Sequence, residues 1–114
     1  MRAPTTLALV QQLIDAFADR MQSSQYTKGC PLATVALEVA ASHDALQGVC
    51  ADAYLGWQQI FTARLIPEGH SPGRAEDLAS SVLALIEGAL LLGRTRRSRV
   101  PLEQARRAAE TLLG

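Results

Sequence analysis

The segment from Val82 to Gly93, VLALIEGALLLG, constrains the fold of this chain more than any other feature. Its apolar residues fall on nearly every side of a helix, and Glu87 is the only charged residue among them. A helix of this kind has to be covered on more than one face. The segment has about a dozen residues, fewer than the roughly 20 that cross a bilayer, so it predicts a buried helix and no membrane span.

Helical periodicity continues over most of the chain and predicts an all-α bundle of about five helices in one domain, residues 1–114. The pattern shows no alternating strand and no internal repeat. The predicted helices span residues 5–24, Pro31 to about Ser42, 44–65, about 74–97 and 101–113, with one clear loop at 66–73. We expect Glu76 and Asp77 in the first turn of the fourth helix, where acidic side chains are favourable.

The charges are unevenly distributed, although the formal net charge is zero. Residues 1–93 carry five Lys or Arg against nine Asp or Glu, whereas residues 94–114 carry six against two. The run RTRRSR, residues 94–99, is compatible with phosphate contacts to nucleic acid. We favour a structural role, because arginines in the last turn of a helix complement its exposed carbonyl groups and no aromatic residues are interleaved with them.

The cysteines and histidines give no sign of a metal or cofactor site. Cys30 and Cys50 lack the spacing of a CxxC motif, and together with His43 and His70 they do not form a zinc pattern. The sequence therefore predicts free, buried or half-buried thiols, no metal, no cofactor and no catalytic residue, and it leaves a redox role of the cysteines open. The amino terminus has no hydrophobic region long enough for an export signal, which favours the cytoplasm.

A strip of small residues, Ser81, Ala84 and Gly88, follows one side of the fourth helix and would let another helix approach closely. Glycine costs an isolated helix about 1 kcal/mol relative to alanine, so a packing reason for Gly88 is expected. We predict that a second copy of the chain covers this side; the alternative is another helix of the same chain. The predicted dimer-interface residues are Ser81, Ala84, Leu85, Gly88, Leu91, Leu92, Leu102, Ala105, Ala109 and Leu112.

The aromatic residues of the third helix predict an apolar ligand cavity, because helical bundles form such cavities between their helices. Glu87, alone in an aliphatic helix, would be the polar group that orients the ligand. The alternative is that the aromatic rings are simply core and that Glu87 pairs with an arginine across the dimer. The predicted cavity residues are Met21, Cys30, Leu37, Tyr54, Trp57, Phe61, Leu83, Ile86 and Glu87.

Four stretches in order, KGCPLATVALE, YLGWQQIFTARL, AEDLASSVLALIEGALLLGR and PLEQARRAAETLL, resemble the carboxyl-terminal domain of TetR-type transcriptional repressors. The resemblance runs from about Lys28 to Leu113 and is greatest to the branch that includes lincomycin- and flavonoid-responsive regulators. It implies a bacterial protein whose last two helices form a four-helix bundle with those of a partner. It also implies a small, usually apolar effector that releases DNA in the intact protein.

A helix-turn-helix module needs roughly 45–50 residues, and nothing before Lys28 supplies them. We therefore expect an effector-binding and homodimerisation domain without its DNA reader, whether the chain is a shortened form, a proteolytic fragment or a natural product. These residues alone should not bind DNA, and a gel shift with the cognate operator would contradict this expectation. The competing hypothesis is a dimerisation module with a filled core and no ligand. The sequence does not identify the effector or the operator.

Overall fold

Five α-helices account for most of the chain. The computed structural model describes residues 4–39 and 41–114, apart from the side chains of residues 31, 35 and 39. The helices are α1 (Thr6–Ser23), α2 (Pro31–Val39), α3 (Asp44–Leu65), α4 (Pro72–Arg96) and α5 (Val100–Leu113). The described residues contain no β-strand, and the predicted all-α fold is confirmed.

Polar side chains fix the starts of three helices. The Thr5 hydroxyl accepts a hydrogen bond from the Ala8 backbone N–H (3.1 Å) at the start of α1. The Nδ1 atom of His43 accepts one from the Leu46 N–H (3.5 Å) at the start of α3. The Ser71 hydroxyl caps α4 through the Arg74 N–H. Each cap satisfies one of the backbone donors that the first turn of a helix leaves unpaired.

The predicted start of α4, at about residue 74, was two residues too late. Because α4 begins at Pro72, its first turn contains no acidic residue, and Glu76 and Asp77 lie in the second turn. Pro72 and Gly73 were assigned to the loop, but proline is well suited to the first helical turn, where its missing N–H group leaves no bond unmade. The predicted end of α2 was also too late, since the helix ends at Val39.

The long helix α4 lies at the centre of the bundle and packs against α1, α3 and α5. Its buried side is formed by the residues Ala75, Leu78, Ala79, Val82, Ile86, Ala89, Leu90 and Gly93. On the same helix, Leu85 is only half-buried and Leu92 is exposed. Both of these leucines face the side of α4 that the chain itself leaves open.

Helices α1 and α5 run antiparallel and join the two ends of the chain. Gln11 donates a hydrogen bond to the Glu110 carboxylate (3.1 Å), and Arg106 pairs with Asp15 (3.1 Å). One turn beyond, Arg99 pairs with Asp19 at 2.9 Å. Beneath these exposed polar contacts the core is continuous from α1 to α5.

Gly93 allows three helices to approach closely. A Cβ atom at this position would lie 3.0 Å from the Ser98 backbone oxygen and 3.3 Å from both Leu102 Cδ1 and Met21 Sδ. Such distances are shorter than ordinary van der Waals contacts, so a side chain here would push α5 and α1 away from α4. At Gly88, by contrast, a Cβ atom would meet nothing within 4 Å.

Candidate functional site

A cavity of about 380 Å³ lies between α1, α3 and α4, and we call it the α1/α3/α4 cavity. Its volume falls within the range of about 300–1,000 Å³ that is usual for small-molecule sites. Eight apolar residues and one carboxyl group line it: Leu9, Leu13, Phe17, Trp57, Ile60, Phe61, Leu83, Ile86 and Glu87. Trp57 and Ile60 are 38% and 56% exposed, which places the mouth of the cavity beside α3.

The amphipathic pattern of α1 creates one wall of this cavity. Val10 and Ile14 are fully buried in the core, while Leu9, Leu13 and Phe17, spaced four residues apart on the neighbouring row, are only half-buried. Since residues four apart lie one above another on a helix, this second row forms a continuous apolar strip. The strip faces α3 across the cavity, and α1 and α3 accordingly make few direct contacts.

Glu87 supplies the carboxyl group of the α1/α3/α4 cavity. The side chain is half-buried, and desolvation raises the pKa of its carboxyl above the usual value, although a hydrogen bond with the Cys30 thiol lowers it in part. Burial also raises the pKa of Cys30, whose thiol therefore stays protonated and serves as the donor. Among the described residues no ion pair involves Glu87.

A second cavity, of about 540 Å³, lies on the other side of Glu87, between α2, α3 and α4. We call it the α2/α3/α4 cavity. Besides Glu87 it is lined by Gly29, Cys30, Ala33, Thr34, Ala36, Leu37, Tyr54, Gly88, Leu90, Leu91 and Arg94. It is more polar than the first cavity, and it places a guanidinium group and a carboxyl group on the same side of α4.

Tyr54 and Trp57 form part of the partition between the two cavities. Their rings meet edge to face, with centroids 5.6 Å apart and planes at 88°. Each ring lines one of the cavities, and Glu87 lines both. Desolvation, together with the nearby Glu87 charge and the Cys30 and Cys50 thiols, raises the pKa of Tyr54 to about 12, so the phenol remains neutral at physiological pH.

The structure divides the predicted cavity residues into three groups. Trp57, Phe61, Leu83, Ile86 and Glu87 line the α1/α3/α4 cavity, whereas Cys30, Leu37, Tyr54 and Glu87 line the α2/α3/α4 cavity. Leu37 is 80% exposed and lies at the mouth of the latter. Met21 lines neither cavity, because it is fully buried in the core with its sulfur against Gly93.

Several lining residues were not predicted as such. Leu9, Leu13 and Phe17 are apolar positions of α1, but nothing in their spacing indicates that they face a cavity instead of the core. Ile60 was not singled out at all. It precedes Phe61 directly, and its exposed position beside a buried aromatic residue becomes evident only in the folded chain.

A groove of about 350 Å³ runs between α4 and α5 on the outer side of the bundle, and we call it the α4/α5 groove. It is lined by Ala84, Leu85, Gly88, Ala89, Leu92, Pro101, Gln104, Ala105 and Ala108. Of the predicted dimer-interface residues, Ser81, Ala84, Gly88, Leu91 and Leu92 are exposed, and Leu85 and Leu112 are half-buried. Leu91 lines the α2/α3/α4 cavity and not this groove. Leu102 and Ala109 are fully buried in the chain's own core, and Ala105 is almost so, which leaves them little surface for a second chain.

The basic run at the end of α4 has identifiable structural contacts. Arg94 and Arg96 lie in the last turn of α4, as predicted, and Arg97 follows as a left-handed cap. Arg99 pairs with Asp19 and also donates a hydrogen bond to the Gln22 side chain at 3.0 Å. Cys30 and Cys50 are buried free thiols, and the described residues contain no group of three metal-ligating side chains. No described helix is long and apolar enough to span a membrane.

The amino-acid sequence of this helical chain matches a known family. Residues 6–108 match the family model described as the C-terminal domain of LmrA/YxaF-like transcriptional regulators. The chain therefore belongs to this family of TetR-type regulator domains, as the sequence resemblance implied.

The chain is also similar to individual proteins. It is 34% identical over 112 residues to an uncharacterized HTH-type transcriptional regulator, Rv0196 of Mycobacterium tuberculosis, with 94% of this chain and 58% of that protein covered. It is 27% identical over 93 residues to the HTH-type transcriptional regulator LmrA of Bacillus subtilis, covering 82% of this chain and 50% of that protein. The chain thus spans about half the length of the curated relatives it matches. These relatives are described as regulators and not as enzymes.

The fold has a counterpart among solved structures. The crystal structure of a TetR-family transcriptional regulator from Cytophaga hutchinsonii superposes with a TM-score of 0.68 and 22% sequence identity, covering 91% of this chain and 64% of that one. At this level of identity the likeness establishes a shared all-helical fold and nothing about the ligand.

Proposed function

We propose that this chain is the effector-binding and homodimerisation domain of a TetR-like transcriptional repressor that acts in the bacterial cytoplasm. The observation that carries the proposal is the α1/α3/α4 cavity, whose walls are apolar apart from one carboxyl group. A cavity of this size beside Trp57 favours a ligand site over a filled core. The effector is a small apolar or aromatic molecule, and in the intact protein its binding releases DNA.

The cavity has the contacts that a switch requires. Its walls come from α1, α3 and α4, so a ligand that fills it contacts three helices at once. In the intact regulator, α1 would be the helix that leads from the DNA reader into this domain. A ligand shifts such an equilibrium only if it binds one arrangement of the helices more tightly than the other. α1 and α3 make few direct contacts with each other. A molecule that binds between them would therefore bind more tightly to the arrangement of helices in which both contact it.

A second copy of the chain would cover the outer side of α4 and α5. Leu91 and Leu92 are 58% and 46% exposed there, next to the small residues Ala84 and Gly88. A Cβ atom at Gly88 would meet nothing within 4 Å among the described residues, so one copy of the chain gives no packing reason for this glycine. An approaching helix from a second copy would supply it.

Ligand binding can be followed with the single tryptophan of the chain, Trp57. We expect the neutral lipophilic probe N-phenylnaphthylamine to quench its emission with saturation. The Leu83→Gln variant, which places an amide in the cavity wall, should weaken binding by about tenfold. Leu55→Gln, on the exposed side of α3 and outside the cavity, is the matched control and should leave the affinity unchanged. Absence of saturable quenching with the wild-type chain would contradict the ligand function and favour the dimerisation module without a ligand.

Dimerisation is tested separately by light scattering at micromolar concentration. We expect twice the 12.2 kDa mass of one chain. Leu92→Arg should shift the equilibrium to monomers, because two added charges would face each other across the interface, whereas Leu55→Arg should not. A wild-type monomer at these concentrations would refute the dimer, whatever the outcome of the ligand titration.

A further inference from the structure

The α1/α3/α4 cavity contains one negatively ionisable group, the carboxyl of Glu87, within otherwise apolar walls. Eight of its nine lining residues are apolar, and the ninth, Glu87, carries a carboxyl group that is partly removed from water. A partly buried carboxylate without a counter-charge is unfavourable and is stabilised by any cation that reaches it. The Cys30 thiol, a weak hydrogen-bond donor, lowers the pKa of Glu87 only in part, and no ion pair involves Glu87 among the described residues.

The arginine that lines the α2/α3/α4 cavity together with Glu87 does not neutralise the Glu87 carboxylate. Arg94 lies two helical turns further along α4 and lines the α2/α3/α4 cavity. Its side chain lies beside Gly29, with the Cδ atom 3.6 Å from the place that a Cβ atom on Gly29 would occupy. No ion pair joins Arg94 to Glu87 among the described residues. Among the described residues, none that lines the α1/α3/α4 cavity carries a positive charge.

Three aromatic rings, from Phe17, Trp57 and Phe61, line the same cavity as the carboxyl group. The faces of aromatic rings attract cations, by about 0.5–2 kcal/mol depending on how far the cation is desolvated. Aromatic faces and a carboxylate around one small volume favour an ammonium group that is attached to an apolar body. The same arrangement disfavours a carboxylate ligand, because two like charges would share a site with little water.

We propose that the effector is a lipophilic organic cation, an amine that is protonated at neutral pH, whose ammonium nitrogen pairs with Glu87 while its apolar body contacts Phe17, Trp57 and Leu83. This proposal rests on the proposed function, since it names the chemical class of the ligand for that site. The selectivity is for charge: a neutral molecule of the same shape occupies the same volume but leaves the carboxylate unpaired.

The test compares three probes that share one aromatic body and differ in charge. Naphthylmethylamine is cationic at neutral pH, naphthylmethanol is a neutral hydrogen-bond donor and naphthoate is an anion. Isothermal titration of the wild-type chain should show the amine binding about tenfold more tightly than the alcohol, and naphthoate binding more weakly than either. This comparison needs no variant and so does not depend on the folding of one.

A substitution then assigns the selectivity to one residue. Glu87→Gln should lower the affinity for the amine by about tenfold and leave that for the alcohol within about twofold. Glu76→Gln, the same change at an exposed position of α4, is the control and should alter neither affinity. Circular dichroism of each variant checks that the helices are intact.

Each other outcome overturns the proposal in a recognisable way. If the alcohol or naphthoate binds the wild type as tightly as the amine, the cation proposal fails while the effector function stands. If none of the three probes binds, both fail. If Glu87→Gln leaves the amine affinity unchanged but dissociates the dimer, Glu87 pairs with an arginine of the second copy instead of with a ligand.

Discussion

The carboxylate of Glu68 accepts two hydrogen bonds from Thr6, one from its backbone N–H (2.8 Å) and one from its hydroxyl (2.9 Å). The two residues are 62 positions apart, and Thr6 is fully buried. This contact ties the loop between α3 and α4 to the first turn of α1, where the backbone donors and the helix dipole favour a negative charge. It connects one helix of the α1/α3/α4 cavity to the loop that joins the other two.

We expect Glu68→Ala to lower the free energy of unfolding by about 1–2 kcal/mol, because it leaves the buried Thr6 hydroxyl without its acceptor. Urea denaturation followed by circular dichroism measures the change. Glu76→Ala, which removes an exposed carboxylate from α4, is the control and should change the stability by less than about 0.5 kcal/mol. Equal effects of the two substitutions would show that the contact with Thr6 contributes nothing to stability.

Gly93→Ala should destabilise the chain by about 1–3 kcal/mol, since the added methyl group meets the Ser98 carbonyl oxygen and the Leu102 and Met21 side chains. Gly48→Ala in α3 is the matched substitution. Its methyl group meets nothing within 4 Å, so we expect a gain of about 0.5–1 kcal/mol from helix propensity alone. Thermal denaturation of both variants should give melting temperatures that move in opposite directions. Two shifts of the same sign would contradict the close approach at Gly93.

Trp57 and Phe61 should respond differently to truncation, although they lie one turn apart on α3. Phe61 is 5% exposed, so Phe61→Ala should cost about 3–4 kcal/mol, whereas Trp57 lies at a cavity mouth and Trp57→Ala should cost about 1 kcal/mol. Urea titrations monitored by circular dichroism give both values. Similar large losses would support the alternative that both rings are ordinary core residues.

The stability difference between Glu87→Gln and the wild type should depend on pH. Because burial raises the pKa of Glu87 above its ordinary value of 4.5 in the folded state, the folded chain binds more protons, and the wild type loses stability as the pH rises through this interval. The variant has no such loss, so its stability relative to the wild type should increase from about pH 4 and level off above the folded-state pKa. Cys30 and Tyr54, whose pKa values are raised, stay neutral in this range.

Denaturant titrations at several pH values between about 4 and 7.5 measure this difference. Glu76→Gln is again the control and should give a difference that does not vary with pH in the same way. A relative stability of Glu87→Gln that falls with rising pH would mean that the folded chain stabilises the ionised carboxyl, through a cation of a second copy for example.

Periodicity predicted the existence and the order of the helices, because the apolar residues on the buried face of a helix recur every three or four positions. It could not place the start of α4, since Ser-Pro-Gly at residues 71–73 is compatible both with a loop and with a capped first turn. Only the Arg74 N–H contact to the Ser71 hydroxyl decides between the two. The buried side of α4 could not be predicted for a similar reason: on a helix that is apolar nearly all round, spacing does not identify the covered side.

The candidate site was predicted in part. An isolated Glu87 in an aliphatic helix and an aromatic row on α3 are visible in the sequence, and the structure brings Glu87, Trp57 and Phe61 together. Met21 and Leu13 cannot be told apart in this way. Both belong to the apolar face of α1, and whether a residue of that face meets the core or a cavity depends on where α3 and α4 lie.

The antiparallel pairing of α1 with α5 has a consequence for how the chain is made. Asp19 meets Arg99 and Gln11 meets Glu110, contacts that join residues 80 and 99 positions apart. During synthesis, Val10 and Ile14 of α1 stay uncovered until α4 and α5 follow. Folding is therefore completed only after nearly the whole chain has been translated, and in that interval the apolar face of α1 is a target for chaperones and a source of aggregation.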